Sequence, residues 1–383
     1  MNTFEDFYRG KSVLITGHTG FKGSWLALWL NSRGAKVYGY ALPAPKSQNN
    51  FRLSKVAGCM AGHIEADIRD FGRLKDCVKK TKPDFIFHLA AQSLVRESYH
   101  APRETFEVNV GGTVNLLEVV RVLKRPCTVV VVTSDKCYEN TGKAGGYRET
   151  DPMGGHDPYS ASKGAAEIVV SSYRRSFFDP DDYAIHGVVL SSARSGNVIG
   201  GGDWAADRII PDCVAALAGH EPIMVRNPGA VRPWQHVLEP LSGYLLLAAK
   251  MAGKNGNKYC GAWNFGPSAR AMHPVRDLVE KMIASWGRGS WRDVSDKNAP
   301  HEAACLTLSS RKAQRELGWR NTWDFNRAVA ETVAWYKAWH GEVNDLNKLC
   351  LAQIAQYCID SQLKEKNVSH GAHRVHREWR KPG

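Results

Sequence analysis

Apolar positions in the first half of the chain alternate between two textures. Short runs at Val13–Thr16, Val37–Tyr40, Phe85–Leu89, Thr128–Thr133 and Gly187–Ser191 have the length and composition of buried strands. Val129 to Val132 is an unbroken row of valines, which suits a strand covered on both faces. Between the runs, apolar residues recur at helical spacing. Gly23–Arg33 carries Trp25, Leu26, Leu28, Trp29 and Leu30, and Phe71–Lys80 stops short of Pro83. Pro102–Leu123 carries Val110, Val114, Leu117 and Val120, and Pro158 starts a helix expected from about Tyr159 to Phe178. Strand and helix alternating with crossovers of this length predict an α/β fold, a Rossmann-type doubly wound parallel sheet.

Near residue 196 the texture changes to shorter elements rich in proline and tryptophan, with helices expected at Leu238–Met251, Val275–Trp286 and Phe325–Trp339. The expected organisation is a sheet domain over 1–195 and a smaller, loop-rich C-terminal substrate domain over 196–342, from which the chain crosses back to the sheet. A terminal helix follows over 343–367, with Leu346, Leu349, Cys350, Ile354 and Tyr357 on one face. Residues 368–383 are expected to be a basic, disordered tail. His370, His373 and His376 in that tail are read as flexible chain rather than a metal site, and no metal is expected.

Composition narrows the function classes. The 383 residues contain no run near the ~18–20 apolar residues of a membrane span, and the first residues lack a basic and apolar leader, so a cytoplasmic protein with no membrane partner is expected. Nine cysteines with no C-x-x-C pair argue against a disulfide framework and a zinc ribbon. A formal charge of +13 suits a polyanionic small ligand. The cations are scattered and carry no nucleic-acid-binding motif, so no nucleic-acid partner is expected.

Two stretches carry chemistry. In Val13-Leu-Ile-Thr-Gly-His-Thr-Gly-Phe-Lys-Gly-Ser-Trp-Leu26, a strand turns into a helix through Gly17, Gly20 and Gly23. Gly17 permits the turn, Gly20 lets backbone approach a pyrophosphate, and Gly23 lets the helix pack on the strand. Such a turn places backbone N–H groups and the positive end of a helix dipole at one point, which predicts dinucleotide binding. In Tyr159-Ser-Ala-Ser-Lys163, phenol and ammonium share one helix face at i and i+4. A cation there favours the phenolate, which can take a proton from an alcohol while hydride leaves the same carbon.

With His88-Leu-Ala-Ala-Gln92 and Asn109 before Gly111-Gly-Thr113, these motifs resemble the extended short-chain dehydrogenase/reductase family over residues 10 to 340. The resemblance implies NAD, held by Gly17, Thr19, Gly20, Phe21, Lys22, Gly23, Asp67, Ile68, Leu89, Ala90, Ala91, Asn109, Thr133, Tyr159 and Lys163. Asp67 reads either as a contact to the adenine or as the cap of the following helix. The second strand ends Tyr38-Gly-Tyr-Ala-Leu-Pro43 with no acid for the ribose hydroxyls, and Lys46 and Arg52 lie nearby, so the residues alone leave NADP open.

Within that family, Thr133-Ser-Asp-Lys-Cys-Tyr138, Asp151-Pro-Met-Gly-Gly155, Arg194-Ser-Gly-Asn-Val-Ile-Gly-Gly-Gly-Asp-Trp204 and Arg232-Pro-Trp-Gln-His-Val237 are similar to the sugar-nucleotide dehydratases, in the branch that acts on CDP-glucose. The resemblance implies a lyase of bacterial deoxysugar and O-antigen synthesis that oxidises C4, eliminates water across C5 and C6, and returns the hydride to C6. Ser134 would bind the reacting hydroxyl, Asp135 would be the acid at C6, and Tyr159 with Lys163 would serve C4. Lys136 stands where the common pattern has glutamate, as C5 base or as stabiliser of the enolate. Gln92, Asn197, Arg208, Arg232 and His236 would contact the substrate. The alternative is an epimerase or oxidoreductase of the same family, which would not need Asp135. Helices starting near Pro102 and Tyr159 would pair copies into a homodimer or homotetramer.

Overall fold

The β-branched runs of the first half lie side by side in one sheet. The computed structural model describes residues 6–143, 145–205, 208–267, 271–295, 306–341 and 345–378. Strands β1 (Ser12–Thr16), β2 (Lys36–Ala41), β3 (Gly62–Glu65), β4 (Phe85–His88), β5 (Cys127–Val132), β6 (Val188–Arg194) and β7 (Gly261–Asn264) run in the order β7-β6-β5-β4-β1-β2-β3. Every neighbouring pair is parallel. The order reverses between β1 and β4, and their register sets Thr16 level with His88, so a crevice opens where the two strands end. All six residues of the valine-rich β5 are buried. β3 and β7 escape the apolar pattern because they are four-residue edge strands, Gly-His-Ile-Glu and Gly-Ala-Trp-Asn, with little β-branched character.

Nine helices are used below: α1 (Phe21–Ser32), α2 (Phe71–Thr81), α3 (Gly112–Leu123), α4 (Pro158–Ser176), α5 (Ile209–Ala218), α6 (Leu238–Met251), α7 (Val275–Trp286), α8 (Phe325–His340) and α9 (Leu346–Glu378). One core on the sheet joins Leu74 of α2, Leu116 and Leu117 of α3, and Val170 of α4. The other joins Trp25 and Trp29 of α1 to Leu241 and Leu245 of α6, and continues through Val279 of α7 and Trp335 of α8. The Tyr8 hydroxyl donates to Leu245 O at 2.6 Å, so α6 is fastened to the start of the chain.

The helix expected over Pro102–Leu123 is interrupted. An α-turn at Pro102–Phe106 leads into a wider π-turn at Glu107–Gly111 before α3 begins. Gly112 is pressed against Ile68, where a Cβ would stand 2.6 Å from the Ile68 Cγ2. The bulge leaves Asn109 buried beneath the loop after β4. α9 buries Cys350, Ile354 and Tyr357, and its Tyr357 ring meets Trp29 at 5.6 Å. It continues to Glu378, past residue 368 where a disordered tail was expected, since no proline interrupts the sequence before Pro382. Among the described residues no helix is long and apolar enough to cross a membrane.

Candidate active site

The crevice floor is the glycine turn. Gly17 has φ 76°, in the left-handed region that glycine enters freely. A Cβ on Gly17 would lie 2.7 Å from Ala90 N and 2.8 Å from the Leu89 carbonyl carbon, so the loop after β4 rests directly on the turn. A Cβ on Gly23 would lie 2.2 Å from Gly17 O, which is how closely α1 approaches. Gly20 is the N-cap of α1, with no side-chain cap and no acid in the first turn. The N–H groups at that end are left to a ligand, and the donors and dipole fit a pyrophosphate. Ile68 is buried beside the end of β3, while Leu89, Ala90, Ala91 and Phe21 are half-buried along the rim. The Thr19 hydroxyl donates to Leu42 O at 3.0 Å and ties the turn to the end of β2.

Ser134, Asp135 and Lys136 form the turn that leaves β5, and Tyr159 and Lys163 lie on α4. Asp157 starts α4 by accepting from Ser160 N at 2.9 Å, with Pro158 in the first turn. The Ser134 hydroxyl donates to Asp135 Oδ1 at 2.9 Å and accepts from Lys136 N at 3.2 Å. The Tyr159 phenol lies close enough to Ser134 for the serine hydroxyl to favour its phenolate. Phenol, serine hydroxyl and carboxyl therefore meet at one point, all three residues buried.

Burial raises the Asp135 carboxyl above its ordinary range, against the pull of Lys136, the Ser134 hydrogen bond and Lys22. Burial lowers Lys163 to about 8. It drives Tyr159 up to about 12, with Ser134 and Arg208 pulling the other way. The lowering of Tyr159 expected from Lys163 is thus outweighed by loss of water around the phenol. Lys22 falls to about 7 through burial, helped by Arg208. It reaches past the turn, donating to Ser195 Oγ at 2.7 Å, and the Tyr244 hydroxyl donates to the same oxygen at 2.8 Å. Asp135 N donates to Ser195 O at 3.1 Å, so Lys22 underlies the acid as well as the turn.

Several expected ligand contacts are committed elsewhere. Asn109 Oδ1 accepts from Gln92 N at 2.9 Å, while its Nδ2 donates to Gln92 O at 3.0 Å and Ser162 Oγ at 2.8 Å; it clamps a loop to α4. The Gln92 amide donates to Leu94 O and Thr105 Oγ1, both at 3.0 Å, and folds its own loop. The Thr133 hydroxyl donates to Glu167 Oε1 at 2.5 Å and faces away from the crevice mouth. Asp67 holds Arg69 through both oxygens, and those hydrogen bonds keep its carboxyl below the usual range. The cap of α2 is Asp70, which accepts from Arg73 N at 3.0 Å, so Asp67 is not the cap. His236 is not a substrate contact: it is buried between Trp25 and Trp323, rings 6.0 and 4.9 Å away, and burial lowers it to about 3. Its apolar surroundings hold it neutral in the core.

Arg208 donates to Asp203 Oδ2 at 2.7 Å and acts on Tyr159 through its charge. Arg232 is half-buried, with Nη1 donating to Val231 O at 3.1 Å, and Asn197 is exposed on the loop after β6. The sequence reading did not single out Ser195, Tyr244 or Glu167. Glu167 had a local signal, four residues after Lys163 on the same helix face; the other two act only through contacts distant in sequence. Among the described residues no cluster of three or more His, Cys, Asp or Glu could hold a metal.

A family model described as GDP-mannose 4,6 dehydratase matches residues 14–332. The chain is 49% identical over 335 residues to the CDP-glucose 4,6-dehydratase of Salmonella typhimurium, covering 88% of this chain and 93% of that one. The dTDP-glucose 4,6-dehydratase DesIV of Streptomyces venezuelae, solved with NAD bound, matches with a TM-score of 0.72 at 27% identity, over 87% of this chain and 99% of that one. A UDP-glucose-4-epimerase from Stenotrophomonas maltophila, also solved with NAD, shares the fold with a TM-score of 0.73 at 22% identity, over 86% and 98% of the two chains.

Proposed function

Because the chain belongs to the GDP-mannose 4,6-dehydratase family, we propose that it is an NAD-dependent lyase converting CDP-glucose to CDP-4-keto-6-deoxyglucose. Bound NAD would accept hydride from C4 of the hexose and give it back at C6, so no net oxidation results. Tyr159 would take the proton of the C4 hydroxyl as its phenolate, a form that the Lys163 ammonium and the positive charge of a bound nicotinamide would favour against burial, while Ser134 hydrogen-bonds the same hydroxyl. The resulting 4-keto group acidifies the C5 hydrogen. Asp135, raised by burial toward its protonated form, delivers a proton to the C6 hydroxyl, which leaves as water. Lys136, on the same turn as Asp135, serves this step in one of two ways: as a neutral amine it takes the C5 proton and returns it at reduction, or as an ammonium it steadies the enolate. The observation that carries this reading is the buried cluster of Ser134, Asp135 and Tyr159, in which the serine hydroxyl donates to the acid and lies beside the phenol. An enzyme that merely inverted C4 would have no use for a buried acid there.

Residues 1–195 are assigned to the cofactor and 196–342 to the sugar nucleotide. Arg208 and Arg232 suit the diphosphate, and Asn197 the sugar-nucleotide, because guanidinium forks match phosphate oxygens. The exposed Tyr99, Phe106 and Ile168, on the Val95–His100 and Pro102–Phe106 segments and on α4, with Phe177 just beyond the end of α4, support a homodimer or homotetramer built through these helices. The test is turnover of a panel of nucleoside-diphosphate glucoses with NAD supplied. CDP-glucose is expected to be preferred and to give a 4-keto-6-deoxy product that absorbs strongly in alkali. Interconversion of C4 epimers without loss of water would overturn the reading.

A further inference from the structure

Beneath the reacting groups lies a second polar cluster that the reaction scheme does not use. Glu167 follows Tyr159 and Lys163 by successive steps of four along α4, so the three share one helix face. It is buried and ion-paired with Arg194 Nη2 at 2.7 Å. Its other bonds come from Thr133 Oγ1 at 2.5 Å and Ser192 Oγ at 2.7 Å. Arg194 also donates to the Tyr138 hydroxyl at 2.5 Å and to Glu149 O at 3.3 Å, and stacks over the Tyr138 ring at 4.9 Å. Thr133 and Tyr138 flank Ser134-Asp135-Lys136-Cys137 in the sequence. The cluster thus grips both ends of the turn bearing the acid and, through Glu167, the helix bearing the phenol and ammonium.

We propose that the Glu167–Arg194 pair is the positioning device of this active site: it registers the β5 turn against α4 and supplies the negative charge that keeps Lys163 an ammonium. The proposal rests on the dehydratase reading for the roles of Tyr159 and Lys163.

The groups that bear on Lys163 come from four elements. Glu167 shares its helix, Cys137 lies on the β5 turn, Lys22 on α1 and His88 on β4. Burial pushes Lys163 down, and Cys137 and Glu167 oppose it. The Cys137 thiol is itself held protonated by burial, well above its usual range, and so carries no charge near neutral pH. His88, lowered by burial to about 3, is neutral too. Lys22, when charged, repels the Lys163 ammonium. Glu167 remains as the opposing anion: burial would raise its carboxyl, but Arg194 and the Thr133 and Ser192 hydroxyls bring it below the ordinary range.

The test uses the full chain carrying Glu167→Gln. Because that change leaves Arg194 buried without a countercharge, E167Q/R194Q serves as a second, charge-balanced variant. The direct readout is titration of Lys163 by NMR with labelled lysine, assigned with Lys163→Arg. The second readout is the pH profile of CDP-glucose turnover. Glu167→Gln should lower the Lys163 titration by about one pH unit and draw the alkaline limb of the profile down with it; the charge-balanced variant should move both the same way by less. A folded variant whose Lys163 titration is unmoved overturns the proposal, as does a slower enzyme with an unshifted profile. Failure of the parent chain to turn over CDP-glucose would refute the dehydratase reading, a result separable from the lysine titration.

Discussion

On the sheet side of the crevice the reacting groups stand on a locked base. Thr133, Tyr138, Glu167, Ser192 and Arg194 are buried and bonded to one another, and Ser134, Asp135 and Tyr159 meet above them. The later part of the chain brings Arg208 and Arg232, both half-buried, and the exposed Asn197. The first set is held by the fold in a closed network; the second contains the guanidinium groups proposed above for the diphosphate, of which Arg208 is ion-paired with Asp203. Preorganised groups lower the barrier to reaction, whereas charge presented to a diphosphate contributes to binding. Substitutions in the first set should therefore act on kcat and those in the second on KM.

The largest effect should come from Tyr159→Phe, which removes the proton acceptor without changing the packing. Steady-state turnover should fall about 10³-fold with KM nearly unchanged. Asp135→Asn should follow, slowing water loss about 10²-fold while a single turnover still oxidises C4. Equal loss of both steps would assign Asp135 to holding Ser134 rather than to acid catalysis. In the second set, Arg208→Ala should raise KM about tenfold or more through loss of a charge-assisted contact of about 1.5–3 kcal/mol. A larger fall in kcat than rise in KM would erase the contrast between the two sets.

The smallest effect should lie outside the crevice altogether. Glu239 on α6 is buried, accepts from Trp323 N at 2.6 Å and from the Tyr357 hydroxyl at 2.9 Å, and so joins α6, the segment before α8, and α9. Burial raises its carboxyl to about 7, against about 4.3 in an unfolded chain. The folded chain holds a proton that the unfolded chain releases between those values. The stability tied to that proton is complete below about 4.3 and is lost as pH rises through 7. Glu239→Gln should flatten this fall, seen as a smaller difference in Tm between pH 5 and pH 8, with kcat and KM unchanged.

The sheet side was also the more legible in sequence, for the same reason that it is rigid. Its signals are local: four valines for β5, three glycines for the turn, and i to i+4 spacing for Tyr159 and Lys163. The short edge strands β3 and β7 carry little β-branched pattern and were missed. Asn109, Gln92 and His236 have residue types that could touch a ligand. The fold already engages each of them, through an inward π-turn, a loop closing on itself and two tryptophans from distant segments. The Ser195 junction joining Lys22 to Tyr244 spans more than two hundred residues of sequence, beyond the reach of any periodicity. At Tyr159 burial outweighs the neighbouring cation, because adjacency to a cation is readable in sequence but depth of burial is not.

Deuterium placed at C4 of CDP-glucose gives the most direct test of whether these groups work on one hexose. After turnover with unlabelled NAD, NMR of the product should find the deuterium on the C6 methyl group, carried there within a single active site. Label released to the cofactor pool or solvent, or retained at C4 with inverted configuration, would contradict the dehydratase mechanism.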